Sequence, residues 1–198
     1  MAHIDYFFAT FSPFTYLAGT RMEEVAAKHG ASVTYKPLDL MGLFAATGGV
    51  PPGQRHASRQ AFRLQELRRQ AAKNAMPINL KPAHFPTNPA PAAYAIIGAQ
   101  AAGGGDLGAL AHAFPRACWA EDKDIADDAV IREALSATGF DPAIADSALL
   151  SGAETYEKNL NEAIEVGVFG APFYKVGDEG FWGQDRIEDL DLHLQGKL

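Results

Sequence analysis

The stretch Phe11-Ser12-Pro13-Phe14-Thr15 contains the side chain whose chemistry matters first, the hydroxyl of Ser12. Serine is a preferred N-cap, and proline suits the first position of a helix because its φ is fixed and it has no N–H to satisfy. The positive end of a helix also favours an anion nearby. The stretch therefore predicts a helix beginning at Pro13, with Ser12 either as its cap alone or as the reactive point of the molecule.

Two strands flank this predicted helix. Residues 3–9 alternate apolar side chains as a strand covered on both faces does, and residues 31–38 form a second strand that Pro37 closes. Between them, apolar residues recur at helical spacing from Phe14 to Ala26, and Gly30 ends the helix. The first 40 residues therefore predict a β-α-β unit with a parallel pair of strands.

The rest of the chain has a different pattern. Helices are predicted over 54–75, 90–102, 106–120, 126–138 and 142–151, while the prolines of 76–91 prevent strand pairing there. A further helix runs from 153 to 167, and a strand entered through Pro172 occupies 170–177. After a turn at 178–180, a return strand starts at Phe181, and a last helix begins at Gln184 or Asp185. An all-helical block thus separates a β-α-β front from an α-β-β-α back.

Composition and charge restrict the classes of function. The 198 residues are 47% apolar and carry a formal net charge of −7, the wrong sign for neutralising nucleic-acid phosphates. The single cysteine, Cys118, excludes an intramolecular disulfide, and the histidines show no spacing typical of metal ligands. Neither a signal peptide nor an apolar run long enough for a membrane span is found. We expect a cytoplasmic protein that acts on small molecules, with no metal, nucleic acid or membrane as partner.

Several strings resemble those of a known family: FSPFTYLA, YKPLDLMGLF, FP followed by TN, CWAEDKDI and GVFGAPFYKVGDEGFWGQDRIE. Over about residues 3 to 190, the chain resembles the 2-hydroxychromene-2-carboxylate isomerases, which are relatives of the kappa-class glutathione transferases. The resemblance implies an α/β, thioredoxin-like fold with a large all-helical insertion of the DsbA type. It divides the chain into a discontinuous thioredoxin-like domain (1–40 and 152–198) and a helical insertion domain (41–151).

The family relationship gives Ser12 a specific role. In disulfide oxidoreductases of this fold, a C-x-x-C pair stands at the start of the first helix, where the helix end stabilises a thiolate. Residues 12–15 contain no sulfur, so disulfide exchange is excluded at this point. The resemblance implies instead that glutathione, as a cofactor, brings the thiolate. Ser12 would be the catalytic residue, donating a hydrogen bond that keeps the sulfur ionised.

The resemblance also implies a glutathione site near the end of the chain. Pro172 resembles the cis-proline of thioredoxin-like proteins, so the backbone of Ala171 would pair with the cysteinyl unit. Gln184 and Asp185 would bind the γ-glutamyl carboxylate and ammonium groups at the start of the last helix. Alternatively, Pro172 is an edge-strand proline and Asp185 part of an ordinary acidic first turn. The predicted glutathione-binding residues are Ser12, Ala171, Pro172, Trp182, Gly183, Gln184 and Asp185.

The second substrate is expected between the thioredoxin-like part and the insertion. The predicted substrate-binding residues are Phe44, Gln54, Arg55 and Phe85. The family pattern has lysine, asparagine and tyrosine where Phe44, Gln54 and Phe85 stand, which leaves the substrate open. Arg55 is kept, and its guanidinium can bind a carboxylate. The basic helix over 54–73 is otherwise interpreted as a solvated face.

The implied function is a glutathione-dependent isomerase of aromatic hydrocarbon catabolism. Its substrate would be an aromatic 2-oxo acid or 2-hydroxychromene-2-carboxylate, which undergoes cis-trans isomerisation through transient thiolate addition. A kappa-like glutathione transferase or peroxidase would use the same thiolate on another electrophile. A non-catalytic thioredoxin-fold binding module is the alternative outside enzymes. The family further implies a homodimer.

Overall fold

The computed structural model describes residues 1–198, which form four strands and ten helices. A short 3-10 turn, Pro52–Gln54, lies between the third and fourth helices. The strands are β1 (His3–Phe8), β2 (Ser32–Pro37), β3 (Phe173–Val176) and β4 (Glu179–Trp182). The helices are α1 (Pro13–Ala18), α2 (Arg21–His29), α3 (Leu40–Thr47), α4 (Ala57–Lys73), α5 (Ala90–Ala102), α6 (Leu107–Trp119), α7 (Asp128–Ala137), α8 (Ile144–Ser147), α9 (Leu149–Glu165) and α10 (Ile187–Leu194).

The four strands form one mixed sheet in the order β2-β1-β3-β4. β1 pairs in parallel with β2, where Tyr6 stands opposite Tyr35, and antiparallel with β3, where Tyr6 stands opposite Tyr174. β3 and β4 form an antiparallel hairpin. This arrangement confirms the predicted α/β, thioredoxin-like fold with its helical insertion.

Helices cover both faces of the sheet. On one face the rings of Tyr6 and Tyr174 stack with centroids 5.1 Å apart, inside a core that extends to α1, α2, α5 and α6. On the other face Phe7 and Phe173 belong to a second cluster, completed by side chains of α3, α9 and the adjoining loops. The alternation of apolar residues in β1 therefore feeds two cores, as the sequence predicted.

The larger core does not stop at the predicted domain boundaries. Ile4 and Tyr174 from the thioredoxin-like part share it with Ile96 and Phe114 from the insertion. The predicted boundary between residues 151 and 152 falls inside α9, where a Cβ on Gly152 would lie 2.6 Å from the Cβ of Tyr94 on α5. The absent side chain lets α5 and α9 pack closely. The division into two domains stays a prediction.

Several helices differ from the predicted ones. α3 was not predicted, and α9 begins at Leu149, inside the helix predicted over 142–151, so α8 is a separate short helix. The single helix expected from Pro13 to Gly30 is interrupted after Ala18, because Gly19 adopts a positive φ of 62° and ends α1. The last helix begins at Ile187, so the predicted start at Gln184 or Asp185 is wrong. A turn after Gly183, whose φ is 119°, occupies those positions instead.

The carboxyl group of Glu23, on α2, lies where a negative charge is unfavourable. The hydroxyl of Tyr35 donates to Oε1 of Glu23 at 3.1 Å, while Oε2 is shielded from solvent and has no hydrogen-bond partner. Burial, with a smaller contribution from the nearby carboxylates of Asp106 and Glu24, raises the pKa of Glu23 to about 7. The carboxyl group of Glu23 therefore loses its proton at a higher pH in the folded protein than in the unfolded chain.

Replacing Glu23 with glutamine is expected to increase the free energy of unfolding by about 1–2 kcal/mol at about pH 8. The pKa of Glu23 is higher in the folded state than in the unfolded state. The natural protein therefore has its full stability at pH values below the unfolded-state pKa of Glu23, and its free energy of unfolding falls as pH rises through about 7. Glutamine carries no charge to bury, so this decline disappears. Denaturant unfolding at several pH values measures the free energy of unfolding of both proteins.

The control for this prediction is Glu24→Gln, which neutralises an exposed carboxylate on the same helix. Stability should still decline as pH rises, with a midpoint only slightly lower than in the natural protein, because Glu24 is a minor cause of the raised pKa of Glu23. An identical decline of stability with pH in Glu23→Gln would show that another group causes it.

Candidate active site

Ser12 is both the cap of α1 and part of an open site. Its Oγ accepts a hydrogen bond from the N–H of Thr15 at 3.3 Å, and its carbonyl accepts from the N–H of Tyr16 at 3.0 Å, which confirms the predicted cap. Ser12 is only 3% exposed, and its hydroxyl proton has no acceptor within the chain. An N-cap uses only the lone pairs of a hydroxyl, so the proton remains available to a ligand.

A cavity of about 400 Å³ opens beside this hydroxyl. It lies between the end of the sheet and the insertion, so its wall is assembled from segments far apart in the sequence. Most predicted site residues meet there: Ser12, Phe44, Arg55, Phe85, Ala171 and Trp182. The tertiary structure thus brings three residues of each predicted set, one set for glutathione and one for the substrate, to a common space.

A second cavity of about 350 Å³ adjoins the first and shares Arg55, Ala171 and Trp182 with it. Gly183, Gln184 and Asp185 line its far side. Gln184 is buried, and its carbonyl accepts a hydrogen bond from Nη2 of Arg21 at 3.0 Å. These two cavities together form a cleft with Ser12 in one half and the turn before α10 in the other.

The turn before α10 presents several unused donors to the second cavity. The backbone N–H groups of Gln184 and Asp185 donate to no backbone carbonyl, and the side-chain amide of Gln184 makes no hydrogen bond within the chain. Donors at a cavity wall that no protein acceptor uses are available to a ligand. The turn can therefore bind an anionic ligand group such as a carboxylate.

The peptide bond between Ala171 and Pro172 is cis, as the resemblance predicted. The carbonyl of Pro172 accepts a hydrogen bond from the N–H of Gly183 at 2.9 Å, which ties the two loops of the cleft together. Neither backbone group of Ala171 makes a backbone hydrogen bond, and this residue lines both cavities. Pro172 itself is buried behind Ala171 and does not form part of either wall.

The substrate side departs from expectation at one position. Gln54 ends the 3-10 turn with its side chain exposed, and it lines neither cavity. Arg55, the next residue, turns inward: its Nε donates to the carbonyl of Val50 at 2.7 Å, and its guanidinium lies 5.9 Å from the ring centroid of Phe44. Phe85 packs against Trp119 with centroids 4.8 Å apart.

Sequence reasoning missed Arg63, which lies in the wall of the first cavity. The solvated-face interpretation of the basic helix is wrong for this residue. Arg63 shares a stripe of α4 with Leu67 and Ala71, which are buried, because residues four apart lie on the same side of a helix. That spacing was the available signal. The apolar wall residues Phe11, Phe14, Leu40 and Met41 were also not predicted.

Other chemistry-bearing groups lie elsewhere. Cys118 is buried in α6, and burial raises the pKa of its thiol to about 12, so it is not a reactive thiolate. No group of three or more His, Cys, Asp or Glu side chains is arranged to hold a metal ion. No helix has both the length and the apolar character that a membrane crossing requires.

Comparisons with known proteins agree with this architecture. The pattern of the DSBA-like thioredoxin domain family matches residues 3–195. A 2-hydroxychromene-2-carboxylate isomerase of Pseudomonas putida is 31% identical, covering 98% of this chain and 95% of its own length. An enzyme of the same name from Sphingobium xenophagum is 29% identical, covering 96% and 97%.

A solved structure gives the same result. The structure of a 2-hydroxychromene-2-carboxylate isomerase superposes with a TM-score of 0.78 at 25% identity, covering 98% of this chain and 95% of that one. Sequence and fold thus agree over nearly the full length of both proteins. The chain belongs to the 2-hydroxychromene-2-carboxylate isomerase family, within the DsbA-like thioredoxin proteins.

Proposed function

We propose that this protein is a glutathione-dependent isomerase that catalyses the cis-trans isomerisation of an aromatic 2-oxo acid or of 2-hydroxychromene-2-carboxylate. The observation that carries the proposal is the position of the Ser12 hydroxyl, whose proton is unused, in a cleft that also holds the free backbone of Ala171. The names of the relatives support the isomerase activity. The cleft supports the use of glutathione.

The residues of the cleft fit glutathione group by group. The free N–H and C=O of Ala171 match the backbone of the cysteinyl unit, as the edge of a strand matches an extended peptide. The unpaired donors of Gln184 and Asp185 suit the γ-glutamyl carboxylate, and the exposed Asp185 carboxylate suits its ammonium group. Trp182, which is 53% exposed and lines both cavities, offers an apolar surface between these groups.

The chemistry that glutathione supplies when bound is reversible addition of its thiolate to a conjugated double bond, which allows rotation before elimination. The task of the protein is to keep the sulfur ionised and to hold both reactants in one place. A hydrogen bond from Ser12 to a charged sulfur contributes roughly 1.5–3 kcal/mol. At 1.36 kcal/mol per pKa unit, this lowers the pKa of a thiol from about 8.5 by about 1–2 units. The helix end adds a smaller share, about 0.3–1 kcal/mol.

Replacing Asp185 with asparagine is expected to weaken glutathione binding by roughly 3- to 10-fold, because the side chain loses its charge toward the ammonium group. The effect is limited because Asp185 is exposed to solvent. Isothermal titration calorimetry with glutathione measures it. Asp189→Asn is the matched control, since it removes a partly exposed carboxylate from the first turn of α10 outside the cleft. Equal weakening by both variants would argue against a contact at Asp185.

A two-step experiment tests the function as a whole. Calorimetric titration should give saturable glutathione binding, and a spectrophotometric assay with 2-hydroxychromene-2-carboxylate should show isomerisation that consumes no glutathione. Stoichiometric loss of glutathione would instead identify a transferase or peroxidase. Absence of saturable binding would favour a non-catalytic binding module. The homodimer and the cytoplasmic location stay predictions.

A further inference from the structure

We propose that Arg55 and Arg63 together form a binding site for the carboxylate of an aromatic acid, with Arg63 as its main specificity-determining residue. Both side chains line the first cavity, and they are the only charged side chains in its wall. The inference rests on the proposed function in one respect, since it assigns the acidic group of the second substrate to this pair. It adds to that site a residue, Arg63, that was not among the predicted substrate-binding residues.

The position of Arg63 on α4 is the first observation. The stripe of α4 that faces the protein contains Arg63, Leu67 and Ala71, spaced four residues apart. Leu67 and Ala71 are buried in the core, whereas Arg63 is half-buried where the helix passes over the cavity. An arginine in a core-facing position is expected to have an acidic or hydrogen-bonding partner, because buried charges are normally paired.

Arg63 has no such partner within the chain. It makes no salt bridge or hydrogen bond, and its closest aromatic contact is the ring of Trp119, whose centroid lies 5.9 Å from its Cζ. Arg55 uses only its Nε, on the carbonyl of Val50, which leaves both terminal nitrogens free. Burial lowers the pKa of Arg63, and the charge of Arg55 lowers it further, so the two guanidinium groups are close enough to repel each other.

An acidic side chain beside this pair does not neutralise it. Glu66 lines a groove that also contains Arg55 and Arg63, but its carboxylate is 3.7 Å from Nη1 of Arg69 and accepts a hydrogen bond from Gln70 at 2.7 Å. The pair therefore has an excess positive charge in a space from which water is partly removed. An anion with two acceptor oxygens relieves the repulsion and satisfies the planar donors of both arginines.

The rest of the cavity selects the kind of anion. Its wall beside the two arginines contains the rings of Phe11, Phe44 and Phe85 and the prolines Pro51 and Pro52. Such a surface excludes a fully hydrated ion such as inorganic phosphate and favours a flat apolar body. The ligand class that satisfies both the rings and the guanidinium groups is an aromatic acid.

The test measures ligand binding in the absence of glutathione. Isothermal titration calorimetry compares trans-2-hydroxycinnamate with its uncharged primary amide, first on the natural protein and then on Arg63→Gln. We expect Arg63→Gln to weaken binding of the acid by roughly 10- to 100-fold and to change binding of the amide less than about 2-fold. Arg63→Lys should give an intermediate loss, because lysine keeps the charge but not the planar pair of donors.

Arg68→Gln is the matched control, since Arg68 is an exposed arginine of the same helix that lines no cavity. It should leave binding of both probes unchanged. Equal loss for acid and amide in Arg63→Gln, or no preference for the acid in the natural protein, would overturn the inference. Glutathione affinity, measured separately in the same variants, should stay within about 2-fold. If the natural protein does not bind glutathione, this result would count against the proposed function and not against the carboxylate site.

Discussion

Replacing Ser12 with alanine is expected to lower turnover roughly 100-fold while glutathione affinity falls only a few-fold. Alanine has no hydroxyl to donate to the sulfur, so the bound thiol regains an ordinary pKa and is mostly protonated at neutral pH. The backbone groups of Ala171 and Gln184, which would hold the tripeptide, are untouched. Initial rates of isomerisation and calorimetric titration with glutathione measure the two effects.

The control separates the capping role of Ser12 from its role toward sulfur. Glycine caps a helix nearly as well as serine, whereas alanine costs about 1 kcal/mol, and neither residue carries a hydroxyl. Ser12→Gly should therefore be as inactive as Ser12→Ala but more stable. Titration of the bound thiol by ultraviolet absorbance should show its pKa raised by about 1–2 units in both variants. Full turnover in either variant would remove the hydroxyl from the mechanism.

Replacing Trp119 with alanine is expected to lower the free energy of unfolding by about 3–5 kcal/mol. Trp119 is 1% exposed at the end of α6, and its Nε1–H donates to the carbonyl of Phe11 at 2.9 Å, immediately before Ser12. Its own carbonyl accepts from the N–H of Asn79 at 2.7 Å, and its ring packs on Phe85. The residue thus joins three segments of the chain under the cavity. Denaturant unfolding measures the loss.

Trp119→Phe is the companion variant, because it keeps an aromatic ring but removes the N–H. It should cost less than the alanine variant, about 1–3 kcal/mol, since the carbonyl of Phe11 loses its partner. Turnover should also fall, because the loop that carries Ser12 is no longer tied to α6. Equal stability of Trp119→Phe and the natural protein would show that the hydrogen bond to Phe11 is not needed.

Local patterns were sufficient where neighbours in the chain decide the structure. The alternation in residues 3–9 predicted β1 and its two covered faces, and Ser12 with Pro13 predicted the start of α1, because a cap depends on groups three residues away. The five strings predicted the family and with it the cis bond before Pro172. The strand and the cap are each encoded within one short segment, and the family in five such segments.

Local patterns failed where two signals compete or where a turn intervenes. Apolar spacing continues through Met22 and Ala26, so it masked the interruption that Gly19 introduces between α1 and α2. Asp185 was interpreted as part of the first turn of α10, but Glu188 and Asp189 hold that place. Gln54 and Arg55 are adjacent in the sequence, yet the 3-10 turn leaves the first in solvent and directs the second into the cavity.

The amino-acid sequence by itself determined the order of the strands and of most helices, the cap at Ser12, the missing sulfur and the family. Only the tertiary structure decided which side chains share the cleft, because those segments are far apart in the chain; Ser12 and Trp182, for example, are separated by 170 positions. Arg63 is the clearest example. Helical periodicity shows that it lies in line with Leu67, but whether that line meets solvent, core or cavity depends on how α4 packs over the rest of the fold.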